Sequence, residues 1–238
     1  GKLTAQGDVP ISDLKGQARW TAGLAMGADG SLFVAETDAD SVYKLSGPNF
    51  ATQAKVAVGY RPYACAFSTD GKTLAVSNWG DQSVSLIDPA TMTESVRVPV
   101  GSHPNQLAWD KTGRLFVACA GSNAVSVIKG GKVIETLKTS LRPNDLVGSQ
   151  PDALAVAPNG RILYVANADN NDVAEIDISD PGESVVRGFI PAGWYPSALA
   201  VAPDNKKIYI ATGKGLYSQA NSTVQTSRMS SSPYSDGR

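Results

Sequence analysis

The sequence of 238 residues is poor in the side chains that most often bind transition metals or form disulfides. It has two cysteines and one histidine, which excludes a four-thiolate zinc site, a two-histidine metal motif and a disulfide-rich scaffold. It also has no surplus of positive charge, since 21 Lys and Arg stand against 22 Asp and Glu, for a net charge of -1. A nucleic-acid-binding protein would carry a basic excess, so we predict no nucleic-acid partner.

Long apolar segments are missing as well. No run approaches the roughly 18 residues that a membrane-spanning helix needs, so we predict no membrane span. No segment shows a helical period, and the chain lacks a P-loop, a dinucleotide-binding fingerprint and the Gly-x-Ser-x-Gly elbow of α/β-hydrolases. Hydrophobic residues nevertheless make up 42% of the chain and charged residues 18%, which is typical of a globular protein with little helix.

What the sequence has instead is a repeat. A tight turn of the Asp-Gly type recurs at spacings of 41, 42, 47 and 45 residues, with an apolar strand before and after each turn and, in most units, two more strands beyond. Gly, Asn and Asp readily adopt the positive φ of hairpin turns, so each unit is predicted to be four antiparallel strands. Repeated four-stranded units of about 40–50 residues predict an all-β fold, the β-propeller. The turns are Asp29-Gly30, Asp70-Gly71, Thr112-Gly113, Asn159-Gly160 and Asp204-Asn205.

The repeat also predicts how the propeller is organised. Four units are complete, and a fifth, beginning near Trp194, has its first two strands. The segment 1–11 is similar to the fourth strand of a unit, and we predict that it pairs with the fifth unit to close a five-bladed ring without exposed edges. The predicted propeller domain covers residues 1–215, followed by a Ser-rich tail, residues 216–238. The complete units are 19–59, 60–101, 102–148 and 149–193.

Two sets of loops lie together on one face of such a disc: those after each second strand and those between blades. They differ among the repeats, whereas the Asp-Gly turns on the other face are uniform. Variable loops on a rigid scaffold usually carry function, so we predict a site at the channel mouth on this face. Aligned residues form three rings there: Glu36, Asn78, Cys119, Asn167 and Thr212 at the second-strand ends; Trp20, Arg61, His103, Gln150 and Tyr195 before the proline position; and Ala22, Tyr63, Asn105, Asp152 and Ser197 after it.

The acidic and amide side chains of these rings are candidate ligands for a hard cation. Carboxylate and amide oxygens without a His or Cys cluster suit Ca²⁺ or another divalent cation. An alternative role for each asparagine is to cap its own turn through bonds to the backbone. The predicted ligands are Glu36, Asn78, Asn105, Asp152 and Asn167.

Two residues of the rings are candidate general bases. Asp152 is a carboxylate that can both ligate a cation and accept a proton, and His103 is the sole histidine of the chain. Arg61, Tyr63 and Tyr195 are predicted to bind the substrate, as an anionic or acyl group would need, although aromatic residues at such positions also pack between blades.

The strings ILYVAN, TLAVSN and GSHPNQLAWD, with Gly-x-x-Pro before the inner strands, resemble the YVTN-repeat propellers over about residues 1–215. The stretch GFIPAGWYPSALAVAPDNKKIYIATGKGL is similar to the last propeller repeats before an alkaline-phosphatase-like domain in some large bacterial proteins. The resemblance implies a bacterial, periplasmic or secreted propeller. Phosphatase activity is not implied, because the residues for it are lacking. GLAMGADGSLFVAE, which ends at Glu36, is similar to the first blade of gluconolactonase-like propellers, whose mouth binds a divalent metal through Glu, Asn, Asn and Asp.

Two functions agree with these observations. The first is a Ca²⁺-assisted hydrolase that opens a lactone or an ester at the channel mouth, where the cation would polarise the carbonyl and stabilise the oxyanion. The second is a non-catalytic YVTN-type propeller that binds a protein or a cell-surface ligand on the same face. The acidic and amide character of the mouth favours the hydrolase, acting on a small-molecule lactone or ester as a monomer or a weak dimer.

Overall fold

The computed structural model describes Val9, Ile11 and residues 20–142 and 146–215. These residues form 18 β-strands and two short 3-10 turns. None of the helical segments in this part of the chain has the length and apolar character needed to cross a membrane. The strands are β1 (Thr21–Met26), β2 (Leu32–Glu36), β3 (Ser41–Ser46), β4 (Ala51–Ala57), β5 (Pro62–Phe67), β6 (Leu74–Asn78), β7 (Ser83–Asp88), β8 (Thr93–Pro99), β9 (Pro104–Trp109), β10 (Leu115–Cys119), β11 (Ala124–Lys129), β12 (Lys132–Lys138), β13 (Pro151–Val156), β14 (Ile162–Asn167), β15 (Asp172–Asp177), β16 (Val185–Pro191), β17 (Pro196–Val201) and β18 (Ile208–Thr212).

The strands form a β-propeller, as the repeat predicted. Four successive antiparallel sheets contain four strands each, and a fifth contains β17 and β18. The first strands of neighbouring blades, β1, β5, β9, β13 and β17, follow one another around a central channel. The predicted pairing of residues 1–11 with the fifth blade and the predicted tail 216–238 fall outside the described residues, apart from Val9 and Ile11. Both therefore stay predictions.

The turns between the first two strands of each blade have the shared geometry that makes the repeat recognisable in the sequence. In blade 1, Gly30 has a φ of 80°, and Asp29 Oδ1 accepts a hydrogen bond from the Ser31 backbone N at 3.0 Å. Blades 2, 4 and 5 repeat that side-chain bond at the same place. Blade 3 has Thr112 there instead, and its carboxylate comes two residues earlier, from Asp110, which accepts from the Thr112 N at 2.8 Å.

The core lies between the blades. The second strands of the four complete blades are almost wholly buried, and their sequences are near-continuous apolar runs. All five residues of β10 are buried. Phe116 of this strand packs with Leu154 and Leu163 of the next blade, and each such side chain contributes about 1.5–3 kcal/mol on burial.

Apolar side chains are exposed at the two ends of the described series of blades. Leu154 and Leu107, which pack against a preceding blade, are 6% and 9% exposed. Leu24 holds the same position in blade 1 and is 62% exposed. At the other end, Tyr209 on β18 is 60% exposed. Burial at these positions therefore depends on a neighbouring blade.

Candidate functional site

Two cavities meet on the axis of the propeller. One, of about 590 Å³, opens at the mouth, between the loops that were predicted to carry function. The other, of about 510 Å³, lies among the first strands of the five blades. Trp20, Tyr63, Asn105 and Asp152 line both cavities. The junction of mouth and channel is therefore bordered by two aromatic rings, an amide and a carboxylate.

A β-bulge at the start of each first strand sets the direction of these side chains. In blade 4, Pro151 pairs with Asn167 and Ala153 with Ala166, so Asp152 is an extra residue with no partner across the pair. The other four blades have an irregularity at the same place, where blade 2 has Tyr63 and blade 3 has Asn105. A bulge turns a side chain out of the regular alternation and is common beside active sites. It accounts for the position of Asp152 at the mouth.

The residue before each proline is held in a strained conformation. Arg61, His103, Gln150 and Tyr195 have φ values of 54°, 51°, 51° and 60°, which non-glycine residues rarely adopt. The carbonyl of each accepts a hydrogen bond from a backbone N after the second strand of the same blade, at 2.8–3.0 Å. Strained residues persist where the surroundings over-determine them, and they are frequent at functional sites. Four different side chains are thus presented around the mouth by one repeated backbone geometry.

Asn105 holds Asp152 in place. The Asn105 Nδ2 donates to Asp152 Oδ1 at 2.8 Å, and Asn105 Oδ1 accepts from the Gln106 backbone N at 2.7 Å. Both ends of this amide are therefore engaged, and its orientation is determined. Asp152 Oδ2 has no hydrogen-bond partner within the part of the chain that the structure describes, so one carboxylate oxygen remains available to a ligand.

The electrostatic surroundings of Asp152 suit a base. Burial raises the pKa of this carboxyl, the hydrogen bond from Asn105 lowers it, and the negative charge of Asp169 raises it further. The net direction is upward, which brings the carboxylate closer to the pKa that proton transfer near neutral pH favours. Perturbed carboxyls in a cleft are candidate functional groups.

The other predicted calcium ligands lie elsewhere. Asn78 is fully buried in blade 2, and its Nδ2 donates to the hydroxyls of Ser83 and Ser85 at 2.9 Å. Asn167 is fully buried in blade 4, and Glu36 is 1% exposed at the end of β2. None of these three lines either cavity.

The structure thus brings together two of the five predicted ligands, Asn105 and Asp152. No three His, Cys, Asp or Glu side chains are grouped to hold a metal among the described residues. Calcium binding has to be tested by titration.

The remaining predicted site residues surround the mouth at different depths. His103 is exposed, and its ring stacks on Trp79 with centroids 4.2 Å apart. Arg61 lines the mouth cavity, with its guanidinium 5.3 Å from the centroid of the Tyr60 ring. Tyr195 lines the same cavity.

The sequence assigned no role to Gln150, although it belongs to the same aligned ring. In the structure the Gln150 Nε2 donates to the Tyr195 hydroxyl at 2.6 Å. Its place among the aligned residues before each proline was the one indication of a role at the mouth. A hydrogen bond between two blades could not be predicted from that alignment.

Asn167 belongs instead to a buried polar cluster with Thr139 and Asp172. Its Nδ2 donates to the Thr139 carbonyl and to Asp172 Oδ1, both at 2.8 Å. Thr139 Oγ1, Asn167 Oδ1 and Asp172 Oδ2 are buried with no partner among the described residues. Burial raises the pKa of Asp172 above its ordinary value of 3.8. The folded protein therefore binds this proton more tightly, and stability is lost as the pH rises from that value through the raised pKa.

We expect Asp172→Asn to raise the free energy of unfolding by about 1–3 kcal/mol at neutral pH, because it removes a buried charge and adds a donor beside unpartnered oxygens. Urea unfolding across the acid range would show the gain vanish at low pH. Asp177→Asn at the other end of β15 is the matched control. Its pKa is lowered to about 2, mainly by hydrogen bonds from Ser179, so that variant should not gain stability. A loss of stability in Asp172→Asn would contradict this account.

The fold has many counterparts among solved structures. A streptogramin B lyase matches with a TM-score of 0.67 and 15% identity over 81% of this chain and 62% of its own. A virginiamycin B lyase from Staphylococcus aureus matches with a TM-score of 0.63 and 14% identity over 82% and 67% of the two chains. A provisionally named 6-phosphogluconolactonase from Bacteroides fragilis matches with a TM-score of 0.65 and 16% identity over 79% and 62%.

The chain therefore spans 62% of the length of the streptogramin B lyase, and identities this low show the fold alone. No family model and no curated protein matches the sequence.

Proposed function

We propose that this protein is a hydrolase that opens a lactone or another ester at the channel mouth, with Asp152 as the general base. The observation that carries the proposal is the placement of Asp152 at the junction of the two cavities, half-buried, held by Asn105 and with one oxygen open to a ligand. Enzymes named as lyases and a lactonase are among the similar folds, which supports an enzymatic role for such a mouth.

The surroundings of Asp152 provide the other parts of an acyl-transfer site. The carboxylate would take a proton from water, whose oxygen attacks the carbonyl carbon of the ester. Arg61 lines the same cavity and supplies positive charge for the developing oxyanion or for an acidic group of the substrate. The ring of Tyr63, 44% exposed, offers an apolar face to the substrate.

The predicted calcium ion has little support in this arrangement. Calcium takes about six to eight oxygen ligands. The described mouth offers it one open carboxylate oxygen each on Asp152 and Asp38, whose other oxygen accepts from the Trp20 N, and the Asn105 oxygen already accepts a hydrogen bond. The residues present do not fit the ion, so the reaction is derived without a metal.

The proposal is tested by assaying five- and six-membered lactones and simple alkyl and aryl esters in isotopically labelled water. We expect turnover above the spontaneous rate, with one labelled oxygen in the product carboxylate, because hydrolysis takes its oxygen from water. An unsaturated product without label would identify elimination instead. No turnover of any ester would overturn the proposal.

Calcium dependence is measured with the same substrates. We expect EDTA to leave turnover unchanged and a calorimetric titration with calcium chloride to show no saturable binding. Saturable binding that Glu36→Gln weakens would contradict this expectation. It would show that the loops rearrange to bring the predicted ligands together.

A second candidate, a non-catalytic propeller of the YVTN type that binds a protein or a cell-surface ligand, has one specific observation in its favour. Trp20, Tyr60 and Trp194, which belong to the loops between blades on the mouth face, are 65%, 52% and 44% exposed. Exposed aromatic side chains clustered on one face are typical of binding surfaces. Absence of turnover, together with saturable binding of a ligand that Trp20→Ala abolishes, would favour this candidate.

A further inference from the structure

Several contacts hold Tyr195 at the mouth. Its backbone N donates to Asn171 Oδ1 at 2.8 Å, and its carbonyl accepts from the Gly213 N at 2.8 Å. Its φ is 60°, and the side chain lines the mouth cavity. The Lys214 ammonium lies 4.5 Å from the centroid of its ring. The ring therefore has a set position on the cavity wall.

The hydroxyl of Tyr195 is oriented as well. The Gln150 Nε2 donates to its oxygen at 2.6 Å. A phenol has one hydrogen to donate, and an oxygen that accepts from Gln150 must send that hydrogen elsewhere. No described residue accepts it, and the side chain lines the cavity that Asp152 also lines. The hydroxyl is thus a proton donor available to a molecule in the mouth.

The charge of Asp152 also affects the pKa of the Tyr195 hydroxyl. Burial raises the pKa of the Tyr195 hydroxyl, and the negative charge of Asp152 raises it further. Between the pKa of Asp152 and the raised pKa of Tyr195, the carboxyl is ionised while the hydroxyl keeps its proton. One cavity thus holds an unprotonated acceptor and a protonated donor, which is the combination that acid and base steps in one reaction require.

We propose that Tyr195 is the general acid of the ester-opening reaction, giving its proton to the leaving oxygen, and that Gln150 positions its hydroxyl. This inference rests on the hydrolase function proposed above. It assigns to Tyr195 a catalytic role beyond substrate binding.

The proton transfers balance over one turnover. Asp152 takes a proton from water as the water oxygen bonds to the carbonyl carbon, which gives a tetrahedral oxyanion. When this intermediate collapses, the bond from carbon to the leaving oxygen breaks. The electron pair goes to that oxygen, which takes the proton of Tyr195. The proton on Asp152 then passes to the tyrosinate through water, so both groups return to their starting states, and one water has been added across the ester.

The test compares two esters of one acid, one with an alkyl alcohol and one with p-nitrophenol as the leaving group. An alkoxide leaves poorly without a proton, whereas p-nitrophenolate leaves without one. We therefore expect Tyr195→Phe to lower kcat for the alkyl ester by about 10²–10³-fold and to leave the aryl ester within a few-fold. The alkaline limb of the pH profile, where turnover falls as Tyr195 loses its proton, should disappear for the alkyl ester.

Three further variants make the result decisive. Gln150→Leu keeps the acid but not its orientation, so we expect a smaller loss that is again confined to the alkyl ester. Tyr209→Phe removes a hydroxyl of the same kind outside the mouth and should change neither ester. Tyr195→Trp keeps an aromatic face without the hydroxyl, so it should resemble Tyr195→Phe if the proton matters.

Failure of the inference is distinguishable from failure of the proposed function. Equal loss on both esters, or a rise in KM alone, would show that Tyr195 only binds substrate and would overturn the inference while hydrolysis stands. If the wild-type protein hydrolyses neither these esters nor any of the lactones, the proposed function fails, and the inference fails with it. The melting temperature of Tyr195→Phe verifies that the variant is folded.

Discussion

Replacing Asp152 with asparagine is expected to lower the turnover of a lactone or ester by about 10²–10⁴-fold. Asparagine keeps the shape of the side chain, and its oxygen can still accept the hydrogen bond from Asn105. It cannot take a proton from water, so the loss should appear in kcat, with KM little changed. Steady-state kinetics on the best substrate measures both.

Two variants separate this effect from a general disturbance. Asp70 lies in a turn on the opposite face, and Asn159 occupies the matching position of blade 4. The Asp70→Asn variant should therefore leave turnover unchanged. His103→Ala decides between the two predicted bases. A modest loss would leave Asp152 as the base, and a collapse as large as that of Asp152→Asn would favour the histidine.

The pH dependence of turnover follows from the raised pKa of Asp152. A general base must be ionised, so activity should fall as the pH drops through that pKa, at a pH above the ordinary carboxyl value of 3.8. Asp169→Asn removes the like charge that raises the pKa, so the acid limb should move to lower pH while the plateau is kept. An acid limb that does not move would show that another group titrates there.

The largest expected effect on stability comes from a buried ion pair in the first turn of blade 3. The side chains of Asp110 and Arg114 are 1% and 3% exposed, and their N–O distance is 2.7 Å. The bond is made by Arg114 Nε, and the buried Nη1 has no hydrogen-bond partner among the described residues. Removing one member of such a pair leaves a buried charge without compensation, so Asp110→Ala should cost about 3–5 kcal/mol. For a domain of this size the melting temperature would fall by roughly 6–20 °C.

The double variant Asp110→Ala/Arg114→Met tests the cause. If the stranded guanidinium is responsible, replacing it with an apolar side chain should recover most of the lost stability. Glu94→Ala breaks a pair with Arg97 in which the arginine is 40% exposed, and it should cost about 1 kcal/mol at most. A double variant no more stable than Asp110→Ala alone would assign the cost to the turn hydrogen bonds instead.

The sequence alone determined the blades, because the signals for them are local. A hairpin turn requires positive φ from one or two residues, and residues such as Asp29 and Gly30 meet that requirement wherever the turn occurs. Second strands such as β6 and β10 are buried on both faces, and their apolar runs need no knowledge of a partner to be recognised. The same locality predicted two strands in the fifth unit, and β17 and β18 are the two strands found there.

The candidate site was predicted only in part, because an alignment of the repeats does not show how deeply each aligned side chain is buried. Asn78, Asn105 and Asp152 all occupy ring positions in the sequence, but Asn78 is fully buried within its blade and Asp152 opens onto two cavities. Side chains alternate between the faces of a strand, so a shift of one residue exchanges the two environments. The bulge at Asp152 makes that shift, and the hydrogen bond to its carboxylate comes from Asn105, 47 residues away in the sequence.

The contact between Gln150 and Tyr195, the proposed general acid, was likewise decided by tertiary structure. Gln150 and Tyr195 are 45 residues apart and belong to loops of successive blades. Nothing in either local sequence specifies a hydrogen bond between them, because it depends on how two blades pack around the axis. Local turn chemistry and apolar patterning therefore determined the propeller, whereas the packing of one blade on the next decided which of its polar residues meet at the mouth.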